Sequence, residues 1–424
     1  MKIKTVIARE ILASGGEPSV EVKVILESGV SGIASVSYGA SAGSKEAFVL
    51  FDGDPSAGLG ASGKKRYNGK GMLKAVANVN EKIAKIIIGQ NAEDQRGIDQ
   101  AMIKLDGTPN RANLGANAIL GVSMAAARAQ AAADGLELYE SLRKAYGITD
   151  TVYKMPKPMV VLIEGGKHAD NSTDLQEYMV AVTKDQPAAL NVQMMEEIYQ
   201  AVKKILKANK FSTNVGNEGA FAPAGISSNE LPIQYITQAI SNAGYKPGED
   251  AGVSLDAAAS EFYENSMYKL SVENKSLTSE ELIKMYLGWQ EKYPLVTWED
   301  MLSEFDWGNW GELTRQSKIP VVADDLTVTN VELLQQAIKQ KVASAILIKL
   351  NQAGTVTETV DCCLLAKQHG FFTIPSHRGG GETNDTFLVD LAVAVGSEWI
   401  KVGPTRGERV CKYNRLMEIE DLLN

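Results

Sequence analysis

Six residues able to bind a cation or move a proton each close a short apolar run. VSLD ends at Asp256, VTWE at Glu299, VVAD at Asp324, AILIK at Lys349, FFTIPSH at His377 and WIK at Lys401. After a longer first gap they recur about every 25 residues, the length that one strand, one helix and two short loops consume. A parallel strand buried on both faces reads as a continuous apolar run. Chemistry at the C-terminal tips of such strands is the layout of a (β/α)-barrel enzyme. The three acids offer an oxygen-only site, which suits Mg²⁺ or Mn²⁺ better than zinc. The histidines His168, His369 and His377 are not at metal-ligand spacing to one another. Lys349, ending the run AILI, is expected to be desolvated and near other cations, which would lower its pKa and make it a base. Taken singly, each acid could equally cap a helix, and Lys349 could equally pair with a neighbouring acid.

Other residues are suggestive only in that setting. Glu218 lies in the glycine-flanked NVGNEGAFAP, where it is either a general acid or an ordinary loop carboxylate. His168 in GGKHADN and the pair Gln176–Glu177 are of the same kind. His377 and Arg378 precede three glycines and could bind an anion through guanidinium and backbone N–H groups. The small-residue loop GASAGS, which contains Ser41, could do likewise.

The elements that must carry these residues divide the chain in two. Over residues 1–140, KIKTVIAREIL and SVEVKVILESGVSGIASVSY alternate apolar and polar residues, as half-buried antiparallel strands do. The glycine-dense DGDPSAGLGASGKKRYNGKG reads as a mobile loop. Helices are expected over KAVANVNEKIAKIII, AEDQRGIDQAMIKLDG and the small-residue stretch LGANAILGVSMAAARAQAAADG, the last closed by Gly135. Over residues 141–424 strands and helices alternate, with PKPMVVLIEGG, LQEYMVAV and STNVGNEG as early strands. The expected fold is therefore α/β, a modified (β/α)8 TIM-type barrel preceded by an α+β capping domain.

With 424 residues and 44% hydrophobic content, the core is large enough to need no disulfide or structural metal. A net charge of −9 argues against a nucleic-acid or anionic-membrane surface, while leaving room for a local cationic pocket. Cys362 and Cys363 are adjacent in a helix-like stretch and Cys411 is alone, so no disulfide framework is expected. The start MKIKTVIARE lacks the apolar stretch of a signal peptide, and no run approaches the roughly 18 apolar residues of a membrane span. The expected compartment is the cytoplasm.

Taken in order, YGASAGSKEA, LGANAILGVS, GGKHADN, LQEYM, VGNEGAFAP, LDAAASEFY, WEDML, ADDLTVTN, ILIKLNQAGTVTET, SHRGGGET and ERVCKYN resemble enolases over nearly the full length. The resemblance implies N-terminal loops that close over a barrel site, and a homodimer or larger homo-oligomer. It implies a hydro-lyase, phosphopyruvate hydratase, that reversibly dehydrates 2-phosphoglycerate to phosphoenolpyruvate in glycolysis. It also implies two Mg²⁺ ions per site, the second arriving with substrate. By motif, Asp256, Glu299 and Asp324 resemble the ligands of the first metal, and Ser41 a ligand of the second. Lys349 resembles the base that takes the proton beside the carboxylate. Glu218 resembles the acid at the departing hydroxyl, assisted by Glu177. Lys401 matches a position at the substrate carboxylate; His168, His377 and Arg378 match substrate contacts, Arg378 at the phosphate.

The sequence also departs from that pattern. Gly15 stands where an arginine is usual, an arginine that commonly pairs across the dimer with an acid matching Glu408. Glu164 and Lys167 flank the GG pair, Glu164 in place of asparagine. Asn217 replaces an aspartate beside Glu218, Ala220 replaces a glycine, and Gly379 replaces a serine and is followed by one extra glycine. Loss of the aspartate is expected to make Glu218 easier to ionise. With the changes gathered at the phosphate end, the alternative is a dehydratase acting on a related phosphorylated or phosphonylated hydroxy acid.

Overall fold

The computed structural model describes residues 1–39, 43–53, 66–150 and 152–424. Most of the loop expected to be mobile, and all of Ser41, lie outside the described residues. The chain forms two compact units, and each draws on separated stretches of sequence. The first comprises Met1–Lys154 with Lys349–Leu365 and His377–Gly396; the second comprises Met155–Ile348, Ala366–Ser376 and Ser397–Asn424.

The first unit opens with strands β1 (Ile3–Leu12), β2 (Pro18–Leu26) and β3 (Ser31–Ser35), an antiparallel sheet in the order β1-β2-β3. Val20, Val22, Val24 and Leu26 alternate inward along β2, as the sequence pattern predicts. Helix α1 (Gln95–Asp106) starts on the Asp94 side chain, which accepts a hydrogen bond from the Gly97 N–H. Helix α2 (Ala116–Asp134) is the expected small-residue helix, and Gly135 ends it in the left-handed conformation (φ 66°). Its composition has a packing cause. A Cβ at Gly32 of β3 would collide with the backbone of Ala125 and Ala129, and one at Gly121 would meet Val22 Cγ2 at 2.6 Å. Sheet and helix approach too closely for side chains at those points. The expected helix over KAVANVNEKIAKIII is present from Leu73 to Ile87, with a wider π segment over Asn78–Ile83. The later segments of the unit are tied in by ion pairs, Arg96 to Asp361 and Arg128 to Asp385, both at 2.6 Å.

The second unit is built on eight strands: β4 (Lys157–Glu164), β5 (Glu177–Val182), β6 (Ala251–Asp256), β7 (Leu295–Glu299), β8 (Val321–Ala323), β9 (Ala345–Ile348), β10 (Phe372–Pro375) and β11 (Trp399–Val402). They run in the order β10-β9-β8-β7-β6-β5-β4-β11, and an isolated bridge between Ser376 and Lys401 joins the two ends. All neighbours are parallel except β5, which is antiparallel to both β4 and β6. Met159, Val161, Met179, Val322, Ala345, Leu347 and Ile374 form one buried cluster within this sheet. Helices between strands carry their own start signals. Thr278 and Glu281 form a reciprocal capping box ahead of Ser279–Lys292, and Asn330 caps Val331–Gln340.

One expected strand is absent. STNVGNEG is a loop whose only pairing is an isolated bridge from Val215 to Phe221. Its polar and glycine residues offer no apolar face to bury. Phe221 instead bonds the edge of β4: its N–H donates to Leu162 and its carbonyl accepts from Glu164. Among the described residues, no helix is long and apolar enough to cross a membrane.

Candidate active site

In the second unit the strand register sets four acids in one row. Glu164 ends β4 and pairs with Glu177, the first residue of β5. Glu177 pairs with Asp256 at the end of β6, and Asp256 with Glu299 at the end of β7. Because β5 runs backwards, its first residue lies level with the last residues of its neighbours. Lys401 is inside β11 rather than at its tip. Asp324 follows the last residue of β8.

The ammonium of Lys401 lies 2.7 Å from Glu177 Oε2, 2.7 Å from Glu299 Oε1 and 3.3 Å from Asp256 Oδ2. All four side chains are buried. Burial pulls the Lys401 pKa down, but Glu177, Glu299 and Asp256 outweigh it and hold the group well above the ordinary lysine range. Glu299 is pushed well up, first by burial and then by Asp256, with Lys401 opposing. Glu177 is pushed well up by burial and by Glu218. Asp324 gathers with Asp300 and Asp325; one carboxylate oxygen from each lies within 4.8 Å of the others. Asp300 accepts from the N–H of Asp324 at 3.0 Å and of Asp325 at 2.8 Å.

Carboxylates at this density exceed the charge of one ammonium. Beyond the effect of burial, Asp256 and Asp324 push up both Glu299 and Asp300 by repulsion, and the donors are all hard oxygens. The residues present therefore fit a divalent cation. Beside them, His168 Nδ1 stands 3.5 Å from Glu177 Oε1 and 3.8 Å from Glu218 Oε1, all buried. Such a set can hold and pass a proton.

In the first unit, Lys349 directly follows the end of β9 and precedes the short helix Leu350–Ala353; it is partly exposed. His377 and Arg378 are buried. The Arg378 guanidinium donates to both carboxylate oxygens of Glu46 at 3.1 Å and to Asn351 Oδ1 at 3.2 Å. Its own N–H donates to Glu382 Oε2 at 2.7 Å. The fork is thus pre-oriented. Gly15 has a structural reason here, since a Cβ would stand 2.8 Å from the Gly380 carbonyl oxygen. Ser14 Oγ donates to that same carbonyl at 2.8 Å.

The structure thus brings Glu177, Asp256, Glu299 and Lys401 into direct contact, with His168 and Glu218 adjoining. It groups Asp324 with two further aspartates. Sequence reasoning gave no role to Asp300, Glu46 or Asn351, and treated Glu164 only as a departure. Glu164 closes the apolar run MVVLIE in the same way that Glu299 closes its run, so one rule could have found both.

Comparison with known families closes the question of kinship. Residues 3–142 match the model of the enolase N-terminal domain, and residues 152–424 match that of the enolase C-terminal TIM barrel domain. A barrel with one reversed strand, a row of acids at one rim and both family domains in order together make this chain a member of the enolase family.

Proposed function

We propose that the protein reversibly dehydrates 2-phosphoglycerate to phosphoenolpyruvate with Mg²⁺. The observation that carries the reading is the Lys401 ammonium held among Glu177, Asp256 and Glu299, with the His168–Glu177–Glu218 group beside it. Asp256, Glu299 and Asp324 are the residues to hold a cation, and Ser41 is proposed for a second. Bound there, divalent ions would offset the charge that develops on the substrate carboxylate.

The chain's own groups divide the rest. Lys349 takes the proton beside the carboxylate. Lys401 binds that carboxylate through its ammonium, which the surrounding acids hold well above the ordinary lysine range. Glu218 gives its proton to the departing hydroxyl, so the C–O bond breaks with release of water, and the reverse steps hydrate the product. Glu177 and His168 orient Glu218 and the hydroxyl. Arg378 and His377 bind the phosphate. Glu46 holds the guanidinium fork in plane until then, as its bidentate contact suggests.

The test is ultraviolet absorbance of the enol phosphate formed from 2-phosphoglycerate, with Mg²⁺ and then with EDTA. An EDTA-sensitive rise is expected, with Lys349→Ala and Glu218→Gln each slower by roughly 10²- to 10⁴-fold. Full activity in either variant overturns the assignment of that residue. A flat trace from folded wild-type protein turns the reading to a related phosphorylated or phosphonylated acid.

A further inference from the structure

Glu164 is the least expected member of the acid row. It is fully buried at the end of β4, where the family resemblance leads one to expect asparagine. Its side chain faces the loop that carries Glu218. The Glu218 N–H lies 3.1 Å from Glu164 Oε1 and 3.3 Å from Oε2, and the Ala220 N–H donates to Oε1 at 2.9 Å. The loop's backbone is shaped around this carboxyl. A Cβ at Gly216 would stand 2.6 Å from Glu164 Oε2, and a Cβ at Gly403 would strike the Glu218 carbonyl. The main chain of Glu164 joins the same seam, donating to Phe221 at 2.9 Å and accepting from Ser172 Oγ at 3.0 Å.

The neighbouring departure has a counterpart here. Asn217 replaces a carboxylate, and its carbonyl oxygen accepts from Arg406 Nη1 and Arg409 Nη2, each at 3.2 Å. The carboxyl missing at 217 is matched by one at 164. An acid thus stands beside Glu218 all the same, on a strand rather than in the loop.

We propose that Glu164 is a positioning residue for Glu218, clamping the backbone N–H groups of Glu218 and Ala220 so that the Glu218 carboxyl is held at the reacting hydroxyl. Its value for the reaction rests on the acid role given to Glu218 above; the clamp itself does not. Burial, and then the Glu218 charge, push Glu164 up to about 9, against the pull of the two N–H donors and of Arg409. An amide of the same length presents an acceptor oxygen at the same place and should replace it.

The experiment compares Glu164→Leu, of similar size but without an acceptor, and Glu164→Gln. Hydrogen exchange of the Glu218 and Ala220 amides, read by mass spectrometry in the unliganded protein, needs no activity. Exchange in Glu164→Leu is expected to be faster by roughly fivefold, the equivalent of one net hydrogen bond, and Glu164→Gln is expected to restore protection. With 2-phosphoglycerate, Glu164→Leu should lower kcat by roughly 10- to 100-fold with KM within about threefold, and Glu164→Gln should recover most of it. If Glu164→Leu does not fold, Glu164→Met, of similar length and also without an oxygen acceptor, takes its place with the same expectations. Wild-type exchange and kcat in the apolar variant overturn the proposal, as does equal damage in Glu164→Gln. If the wild-type enzyme is inactive on 2-phosphoglycerate, the proposed reaction fails, and the exchange comparison alone decides the clamp.

Discussion

Lys401 shows how one residue serves both chemistry and stability. It is buried among three carboxylates that would otherwise repel one another. Removing one partner of a buried charge group leaves the others uncompensated, at a cost of several kcal/mol. Lys401→Met is therefore expected to lower stability by about 3 to 5 kcal/mol in EDTA, read by urea unfolding. Mg²⁺ should return part of the loss, because a divalent cation can take over the ammonium's electrostatic task. An unchanged urea midpoint in EDTA would count against a charge-neutralising Lys401. At this scale the sequence was informative where a polar residue ended an apolar run. Glu177 escaped that rule, because it starts its strand instead of ending it. Asp300 and Glu46 escaped it because their partners, Asp324 and Arg378, are distant in sequence or fixed by backbone geometry.

Among elements, contact between helix and sheet in the first unit is set by glycine. Gly32→Ala places a methyl against the backbone of Ala125 and Ala129, which cannot rotate away. A loss of about 3 kcal/mol is expected by chemical denaturation. Helix α1 carries a second test. Asp99 is fully buried, with Gln95 Nε2 donating to Oδ1 at 3.1 Å and the Thr357 N–H to Oδ2 at 3.0 Å. Burial raises its pKa to about 6, against the pull of those hydrogen bonds. The folded protein thus binds this proton more tightly than the unfolded chain. The stabilisation is complete below about 3.8 and is lost as pH rises through about 6. Over that window wild type should lose about 2 to 3 kcal/mol relative to Asp99→Asn, since a tenfold difference in proton affinity is worth about 1.36 kcal/mol. Parallel urea curves at pH values on either side of the window check this; a constant difference would contradict it. Elements with a long apolar period, such as α2 and β4, were legible in sequence. STNVGNEG was not, since a short polar run carries no period. The reversal of β5 was hidden for another reason: a strand's direction depends on its neighbours, and no residue within it records that.

For the molecule as a whole, the chain sums to −9 while gathering acids at one rim of its barrel. A ligand that binds the folded form alone adds RT ln(1 + [L]/Kd), so Mg²⁺ at about a hundred times its Kd should add about 2.7 kcal/mol to unfolding. The added stability should vanish in Glu299→Gln, and a gain that persists would place the ion elsewhere. The order of strands and helices could be read along the chain. The return of Lys349–Leu365 and His377–Gly396 to the first unit could not, because it depends on partners hundreds of residues away, such as Arg128 for Asp385.

The close approach of Gly15 to the Gly380 carbonyl bears on how such chains can be recombined. Gly15 cannot be exchanged alone for the arginine of a relative, since that side chain would start in the space of the Gly380 backbone. The two segments, separated by most of the sequence, must be inherited or transplanted together, and a chimera spliced between them would inherit half of a matched pair.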